Sequence, residues 1–313
     1  MSQLRVGAVV NARLRARGRG FAHALARLGE STRVVAELDT RGDDSDVWRV
    51  VELLRDAEPE VLVAAGGDGT VGLALRALFE AKRAEHTALA FLPLGTGNNA
   101  ARSFGLRALR EGAGALERAV AAIAAGPRRA SDVGLLDGRP FLGSVAIGMD
   151  ADVLALRNRI QRRLGGLATG YGLYLGGALA SLLKSGHGGR ARLSLDGVSE
   201  TREIYNLAVV NAPVYAGPLR FDGENDCADG LLDVHAVASG WEYVAEYPSA
   251  WLRYLRVRQG TKAGPSPLLR RARAIHVELE RPLPAEADGE EIGASASFRF
   301  SVLPRALRVC VPG

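Results

Sequence analysis

Residues 61–72 read VLVAAGGDGTVG, an apolar run that breaks into glycines on either side of Asp68. The run is typical of a buried strand, and the glycines follow where that strand ends. Glycine and aspartate form turns for backbone reasons alone, so a tight turn is one interpretation. The other is a phosphate cradle, because small residues let backbone N–H groups approach an anion closely. This stretch by itself supports both equally.

A second stretch, AFLPLGTGNNAARSFGL at residues 90–106, repeats the pattern of strand, glycines and helix. Two successive junctions of this kind put two sets of backbone amides and helix N-termini at the same edge of a parallel sheet. The hydroxyls of Thr70 and Thr96 can hydrogen-bond phosphate oxygens. No Gly-Lys pair occurs in the chain, so the pattern is not a Walker-type loop.

The first 130 residues alternate strand-like and helix-like segments, as a parallel α/β sheet requires. From about Ser131 onward the chain is mainly strand-like, with a strong turn signal at Asp137-Gly138. We therefore predict an α/β nucleotide-binding domain over residues 1–130, followed by a β-rich sandwich domain over residues 131–303. The active site is expected in the cleft between them, and residues 304–313 are expected to return to the first domain.

Composition limits the partners. The 313 residues carry a net charge of +5, which permits an anionic partner such as a membrane surface or a phosphorylated ligand. The interleaved aromatic and basic residues of a nucleic-acid binder are missing, so no nucleic acid is expected. Cys227 and Cys310 form neither zinc spacing nor a disulfide framework, and the start lacks the order of a signal peptide. A cytoplasmic protein is expected.

An uncharged segment at residues 165–183, GGLATGYGLYLGGALASLL, is long enough to span a bilayer. Its glycines and polar residues dilute the hydropathy, and basic residues flank both ends, so no orientation is encoded. We predict a buried or interfacial helix here, ahead of a transmembrane helix.

GGDGT at residues 66–70 followed by PLGTGN at residues 93–98 resembles the diacylglycerol kinase catalytic domain. That family includes sphingosine kinases, ceramide kinases and soluble bacterial lipid kinases, with NAD kinases as distant relatives. The resemblance runs through nearly the whole chain. The further matching stretches are VVNARLRARGRG, DTRGD, SVAIGMDADV, VVNAPVYAGPL, NDCADGLLDV and AEADGEEIG.

The resemblance implies phosphoryl transfer from ATP–Mg²⁺ to a lipid hydroxyl, which needs charge neutralisation and a positioned nucleophile. It implies that Asp288 is the general base, that Glu290 lies beside the metal and that Asp68 organises the catalytic Mg²⁺. It places Asp150 at the acceptor. The residues implied to hold the nucleotide are Asn11, Thr40, Gly66, Gly67, Gly69, Thr70, Gly95, Thr96, Gly97 and Asn98. An Asp-Gly turn between strands is the alternative role for Asp288.

The bacterial lipid kinases also have a second, structural Mg²⁺, and Asp226, Asp229 and the Leu231 carbonyl fit its spacing. Oxygen ligands completed by water suit that ion. A solvated acidic loop is the alternative, and the sequence leaves the two open.

Four positions depart from the family pattern. Asn99 replaces an aspartate, Gly72 and Leu73 replace Asn-Glu, and Ser144 stands where an asparagine is usual. The changes at Asn99 and at Gly72-Leu73 each remove a carboxylate that would help to organise Mg²⁺, so altered acceptor choice or reduced activity stays open.

The predicted protein is thus an ATP- and Mg²⁺-dependent lipid kinase acting peripherally at an anionic membrane surface, with a homodimer as a further expectation. An NAD kinase and a catalytically weak nucleotide- or lipid-binding protein are the rivals. A helix with Trp241, Trp251 and Tyr254 beside several arginines either rests on the membrane or packs its aromatics into the β-rich domain.

Overall fold

The computed structural model describes residues 3–15, 19–95, 97–107, 114–163 and 188–313. The chain divides into two units, Met1–Val133 with Leu303–Gly313, and Gly134–Val302. The uncharged segment at residues 165–183 lies outside the described residues. Within the described part of the chain, no helix is long and apolar enough to cross a membrane.

The first unit is built on parallel strands in the order β4-β3-β1-β2. Their bounds are β1 Arg5–Val10, β2 Arg33–Asp39, β3 Val61–Gly66 and β4 Ala88–Pro93. Every residue of β3 and β4 is buried, as expected of strands with helices on both faces of the sheet. The end of a later strand, β14, pairs in parallel with β4 between Val309 and Leu89.

Helices connect these strands. Their bounds are α1 Ala12–Arg15, α2 Arg19–Ser31, α3 Ser45–Ala57, α4 Asp68–Glu80, α5 Asn99–Ser103 and α6 Ala115–Ala124. The apolar periodicity predicts a helix from Val71, but α4 begins at Asp68, directly after β3. The aspartate adds a turn, because a carboxylate in the first turn interacts favourably with the helix dipole.

The second unit is mainly antiparallel. Its strands, with two that continue into the first unit, are β5 Arg128–Leu136, β6 Arg139–Phe141, β7 Ser144–Gly148, β8 Gly189–Leu195, β9 Val198–Ile204, β10 Asn206–Val210, β11 Leu232–Val237, β12 Leu269–Ala272, β13 Ala274–Ala287 and β14 Glu290–Cys310. Neighbours follow the order β12-β11-β10-β7-β13-β14, and β8 pairs with β13 and β9. The predicted fold class, α/β followed by a β-rich domain, is confirmed.

Asp-Gly pairs close three hairpins of the second unit. Asp137, Asp196 and Asp288 each have φ 48°, and the glycine that follows each also has a positive φ. Two successive left-handed residues are what a two-residue hairpin turn requires. The turn predicted at Asp137-Gly138 is therefore confirmed.

Among its described residues, the second unit has the helices α7 Met149–Arg163 and α8 Gly240–Arg258. The strands bury a core of aliphatic and phenylalanine side chains, including Phe141 and Phe300 in an edge-to-face pair. A smaller apolar cluster, with Tyr215 and Phe221, packs against Ala250 of α8. The predicted helix over residues 239–259 thus packs one face into this unit.

Candidate functional site

The carboxyl ends of the parallel strands bring the predicted nucleotide residues to one edge of the sheet. The N–H of Asn11 donates to the Ala65 carbonyl (3.0 Å), and that of Thr40 donates to the Val10 carbonyl (2.8 Å). The N–H of Gly95 donates to the Gly66 carbonyl (3.1 Å). Ligands of open α/β sheets bind at this edge.

The two glycine junctions touch each other. A Cβ on Gly95 would lie 2.4 Å from the Gly67 Cα, closer than any side chain allows. A Cβ on Gly66 would meet the hydroxyl of Thr70 at 2.1 Å, and one on Gly97 would meet Asp68 Oδ2 at 2.9 Å. Glycine is therefore required at these positions, and backbone amides line the junction. Gly69 lies in the first turn of α4, while Thr96 is outside the described residues.

Asp68 links the two junctions. Its Oδ1 accepts the N–H of Ala100 (3.1 Å). Burial raises the pKa of Asp68 above its ordinary value, against the opposing effect of the Ala100, Asn99 and Asn98 N–H groups and the charge of Arg102. The carboxylate therefore orders the loop at the second junction.

Asn98 holds a buried acceptor at the second junction. Its φ is 53°, and its Nδ2 donates to the Gly95 carbonyl (2.8 Å). Its Oδ1 is buried and accepts no hydrogen bond within the described part of the chain. A buried polar atom normally has a partner, so a hydroxyl or a metal-bound water of a ligand fits this position.

Asp46, which the sequence analysis missed, shapes the loop after β2. Both of its oxygens accept the N–H of Arg41 (2.9 Å), Oδ2 also accepts that of Gly42 (2.8 Å), and Arg49 pairs with it at 2.8 Å. Burial acts to raise the pKa of Asp46, but these donors together lower it below the ordinary value. The sequence does contain a signal for this role, because Asp46 lies in the first turn of α3, shortly after Gly42.

In the second unit, Asp288 sits in the turn between β13 and β14 and is partly buried. Oδ2 accepts the N–H of Leu142 (2.8 Å), and Oδ1 accepts those of Gly143 (2.7 Å) and Ser144 (3.0 Å). A Cβ on Gly143 would lie 2.8 Å from Oδ1, which explains the glycine there. Three donors therefore fix this carboxylate in one orientation.

Asn211 braces the segment that holds Asp288. Its N–H donates to the Gly143 carbonyl (2.9 Å), and its buried Nδ2 donates to the Leu142 carbonyl (2.8 Å). Asn211 is the asparagine of the VVNAPVYAGPL stretch, and the sequence analysis did not single it out. Glu290, the first residue of β14, forms an ion pair with Arg139 (2.7 Å).

Glu286 is a further carboxylate that the sequence analysis missed. It is buried on β13, and its Oε2 accepts the N–H of Gly289 (2.8 Å), in the same turn as Asp288. Its charge contributes to raising the pKa of Tyr215, after the larger effect of burial and that of Asp150. The charges of Glu286 and Asp150 thus act on Tyr215 in the same direction.

Asp150, at the start of α7, accepts three tyrosine hydroxyls. Tyr215 donates to Oδ2 (2.5 Å), Tyr243 donates to Oδ1 (2.6 Å), and Tyr247 also donates to Oδ2. Asn206 adds its Nδ2 (2.7 Å) and accepts the Asp150 N–H (3.0 Å). Burial, and then the charge of Asp150, raise the pKa of all three tyrosines, which keeps them hydrogen-bond donors.

The acidic loop predicted to bind a second Mg²⁺ faces an arginine. Arg271 Nε pairs with Asp233 (2.9 Å), and Arg271 Nη2 pairs with Asp222. The charges of Asp233, Asp222 and Asp229 raise the pKa of Arg271, although burial alone would lower it. Asp229 accepts the Leu231 N–H (2.9 Å) and donates its own N–H to the Asp226 carbonyl (3.3 Å). The described residues contain no group of three acidic, histidine or cysteine side chains placed for a metal.

Comparison with known proteins identifies the family. Residues 9–136 match the diacylglycerol kinase catalytic domain, and residues 143–311 match the YegS C-terminal NAD kinase beta sandwich-like domain. A Probable lipid kinase YegS-like from Pseudomonas aeruginosa (strain UCBPP-PA14) is 32% identical over 274 residues, covering 86% of this chain and 82% of the relative. One from Pseudomonas fluorescens is 30% identical over 270 residues, covering 85% and 82%.

A solved structure shares the fold. The crystal structure of a diacylglycerol kinase from Bacillus anthracis superposes with a TM-score of 0.72 at 19% identity, covering 99% of this chain and 98% of that one. The resemblance stated from the motifs is thereby confirmed, and the enzyme class with it. The chain belongs to the YegS-like lipid kinases, a group with the diacylglycerol kinase catalytic domain.

Proposed function

We propose that this lipid kinase transfers the γ-phosphate of ATP to a hydroxyl of a lipid acceptor at an anionic membrane surface, with Asp288 as the general base. The observation that carries the proposal is the carboxylate of Asp288. Backbone N–H groups of residues 142–144 hold it in one orientation, so its oxygens are fixed in position. Positioned proton acceptors are what hydroxyl activation requires.

The nucleotide side rests on the glycine junctions. Backbone amides at a crowded glycine contact, followed by the N-terminus of the 13-residue helix α4, suit a triphosphate. Mg²⁺ prefers oxygen ligands and keeps several of its waters. The carboxylate of Asp68 and the unpaired Oδ1 of Asn98 fit such an ion with its waters, even with Asn99 in place of an aspartate. When bound, Mg²⁺ would neutralise charge on the phosphates.

The acceptor side rests on the Asp150 cluster, which we define as Asp150, Asn206, Tyr215, Tyr243 and Tyr247. Because Asp150 holds three tyrosine hydroxyls and the Asn206 amide, it would act by positioning these side chains. We infer a positioning role for it, in place of the direct acceptor contact that the resemblance implies.

In the proposed reaction, Asp288 takes the proton of the acceptor hydroxyl while that oxygen bonds to the γ-phosphorus. The bond from the γ-phosphorus to the bridging oxygen of ATP breaks, and ADP leaves. The donors at residues 142–144 keep the carboxylate aimed, and Asn211 keeps that segment in place. The products are a phosphorylated lipid and ADP.

The test is Asp288→Asn with Asp196→Asn as its matched control. Asp196 has the same φ of 48° in an Asp-Gly turn, and its carboxylate also accepts backbone N–H groups, from Arg273 (3.0 Å) and Ala274 (2.8 Å). Both changes put an amide N–H against N–H donors, so each is expected to lower stability by about 1–3 kcal/mol. Only Asp288→Asn is expected to lower kcat, by roughly 10²- to 10⁴-fold.

The measurements are kcat with a diacylglycerol, a sphingoid base and NAD as acceptors, beside thermal unfolding of all three proteins. If Asp288→Asn loses no more activity than Asp196→Asn at equal stability, Asp288 is a turn residue and the base lies elsewhere. Turnover with NAD but with neither lipid would replace the proposed acceptor class.

A further inference from the structure

One face of α8 exposes large apolar side chains. Among the described residues, six large hydrophobic side chains are exposed, and four of them lie on this helix: Trp241, Val244, Trp251 and Leu252. Trp241 is 85% exposed and Trp251 is 45% exposed. At 3.6 residues per turn, these positions fall within an arc of about 120°. Exposed Ala245 and Pro248 lie on the same arc.

The opposite face of α8 is anchored by polar contacts. Tyr243 and Tyr247 donate to Asp150, and buried Glu246 pairs with Arg253 (2.8 Å). Glu246 also faces His235 at 3.6 Å. The helix cannot rotate its apolar stripe inward without breaking these buried bonds, so the stripe is a fixed feature of the surface.

Positive charge flanks the C-terminal part of the stripe, whereas the exposed Glu242 lies in the first turn of α8. Residues 247–277 contain seven basic residues and no acidic one. Arg253 and Arg271 pair with carboxylates, whereas exposed Arg256, Arg258 and Lys262 form no ion pair within the described residues. On a helical projection, Arg256 and Arg258 flank the stripe on its two sides.

The chemistry of this face indicates which partner binds it. Tryptophan has an apolar body and a polar N–H, which suits the boundary between headgroups and acyl chains. Lysine and arginine beside an apolar helix face favour an anionic bilayer. A second copy of this chain would bring three unpaired cations of each copy together, and like charges across an interface are unfavourable.

We propose that the exposed face of α8 docks on an anionic lipid bilayer, with Trp241 and Trp251 entering the interface and Arg256, Arg258 and Lys262 contacting headgroups. This inference rests on the proposed function in taking the acceptor to be a membrane lipid. Because Tyr243 and Tyr247 project from the opposite face, docking holds the Asp150 cluster about one helix diameter, roughly 10 Å, from the bilayer surface.

The first experiment measures co-sedimentation with phosphatidylcholine vesicles, with and without about 30% phosphatidylglycerol. The wild type is expected to bind only the anionic vesicles. The triple variant Arg256→Gln, Arg258→Gln, Lys262→Gln is expected to bind about 100-fold more weakly. Its control removes three exposed arginines on β8 and β14 (Arg190→Gln, Arg192→Gln, Arg299→Gln) and keeps most of the binding. Equal losses in both triple variants would show that net charge, not α8, binds the vesicles, and would overturn the proposal.

The second experiment uses fluorescence. The chain has three tryptophans, so a Trp48→Phe protein reports only Trp241 and Trp251. A blue shift of its emission on anionic vesicles, lost when salt is raised from about 0.1 M to about 0.5 M, is the expected result. An unchanged emission maximum while the protein is vesicle-bound would overturn insertion of these side chains.

Measurements of lipid phosphorylation distinguish failure of membrane docking from failure of the proposed function. The variant Trp241→Ser, Trp251→Ser should keep kcat on a short-chain, water-dispersed diacylglycerol and lose activity on anionic vesicles, with an unchanged Tm. If the wild type phosphorylates no lipid, the proposed function fails while the vesicle binding still tests docking. If the variant instead turns a dimer in solution into a monomer and binds vesicles normally, the face is an interface between copies.

Discussion

At the scale of single residues, carboxylates held by backbone N–H groups determine how the loops of both units are arranged. Asp68, Asp46 and Asp288 each accept such groups, but their electrostatic settings differ. Burial raises the pKa of Asp68, whereas the donors around Asp46 outweigh its burial and lower the pKa of that carboxyl. Ionised Asp68 therefore destabilises the ligand-free fold, whereas ionised Asp46 stabilises it. Such a cost is expected for a carboxylate whose charge is balanced by a cation only when a ligand is bound.

Opposite stability changes follow for Asp68→Asn and Asp46→Asn. An acid whose folded pKa is raised contributes stability below its unfolded pKa of 3.8 and loses it as pH rises through the folded value. Near pH 7 the neutral amide of Asp68→Asn removes that cost, so the Tm of the ligand-free protein should stay equal or rise. For Asp46, the lowered pKa means that its charge stabilises above pH 3.8, so Asp46→Asn should lower the Tm.

Thermal unfolding near pH 7, with and without ATP and Mg²⁺, checks both variants. ATP–Mg²⁺ should raise the Tm of the wild type and of Asp46→Asn, but much less that of Asp68→Asn. A loss of stability in Asp68→Asn as large as in Asp46→Asn would reduce Asp68 to a loop-ordering residue.

At the scale of elements, the loop between β10 and β11 (residues 211–231) and strand β12 show how this chain handles an acidic segment. Asp222 and Asp233 are buried, and Arg271 on β12 reaches both. Burial raises the pKa of Asp233, against the opposing contributions of Asn225 and Arg271. A guanidinium thus supplies the positive charge next to the segment where Asp226 and Asp229 are predicted to hold Mg²⁺.

If Arg271 supplies that charge, the ligand-free wild type should have the same Tm in EDTA and in excess Mg²⁺. Arg271→Gln should lower stability by about 1–3 kcal/mol, because two buried carboxylates lose a partner. Mg²⁺ should then restore part of the lost Tm. Arg270→Gln is the control, since exposed Arg270 donates to the carbonyls of Pro267 and Leu269 and forms no ion pair with the residues that the structure describes. A wild-type Tm that falls in EDTA would support the structural Mg²⁺ instead.

At the scale of the whole molecule, local patterns in the sequence predict the fold better than the site. Alternating strand and helix signals, then Asp-Gly turns between strands, were enough for the fold class. Identical turns, however, do not show which aspartate is special: Asp196 and Asp288 both accept backbone N–H groups from residues that are distant in the chain. The stretch GDGTVG at residues 67–72 also has the G-x-G-x-x-G spacing of dinucleotide-binding loops, so glycine spacing alone does not identify the ligand of this junction.

Several of the missed residues act through partners that are distant in the chain. Asn211, Tyr243 and Tyr247 are of this kind, whereas Glu286 accepts the N–H of Gly289, only three residues further on. Tyr243 and Tyr247, for example, reach Asp150 across 93 and 97 residues. Such contacts depend on how the second unit packs, and the helix and strand periodicities of the sequence do not predict them.

Packing also sets how stability responds to acid, and Glu246 is a buried group for which the direction can be worked out. Burial works to raise the pKa of Glu246, but His235, Ser266 and Arg253 together lower it to about 2 from an ordinary 4.5. A lowered pKa of an acid gives stability that is present above pH 4.5 and lost as pH falls toward 2. By linkage, this pKa shift corresponds to a contribution of about 3 kcal/mol to the free energy of unfolding near pH 7.

We therefore expect Glu246→Gln to be less stable than the wild type near pH 7 by about 3 kcal/mol, and the difference to vanish as pH approaches about 2. Denaturant unfolding at a series of pH values measures both proteins. Glu278→Gln, at an exposed carboxylate of β13, is the control and should follow the wild type at every pH. A constant gap between Glu246→Gln and the wild type across the series would mean that the lost stability is packing, because only a titrating charge makes the gap close in acid.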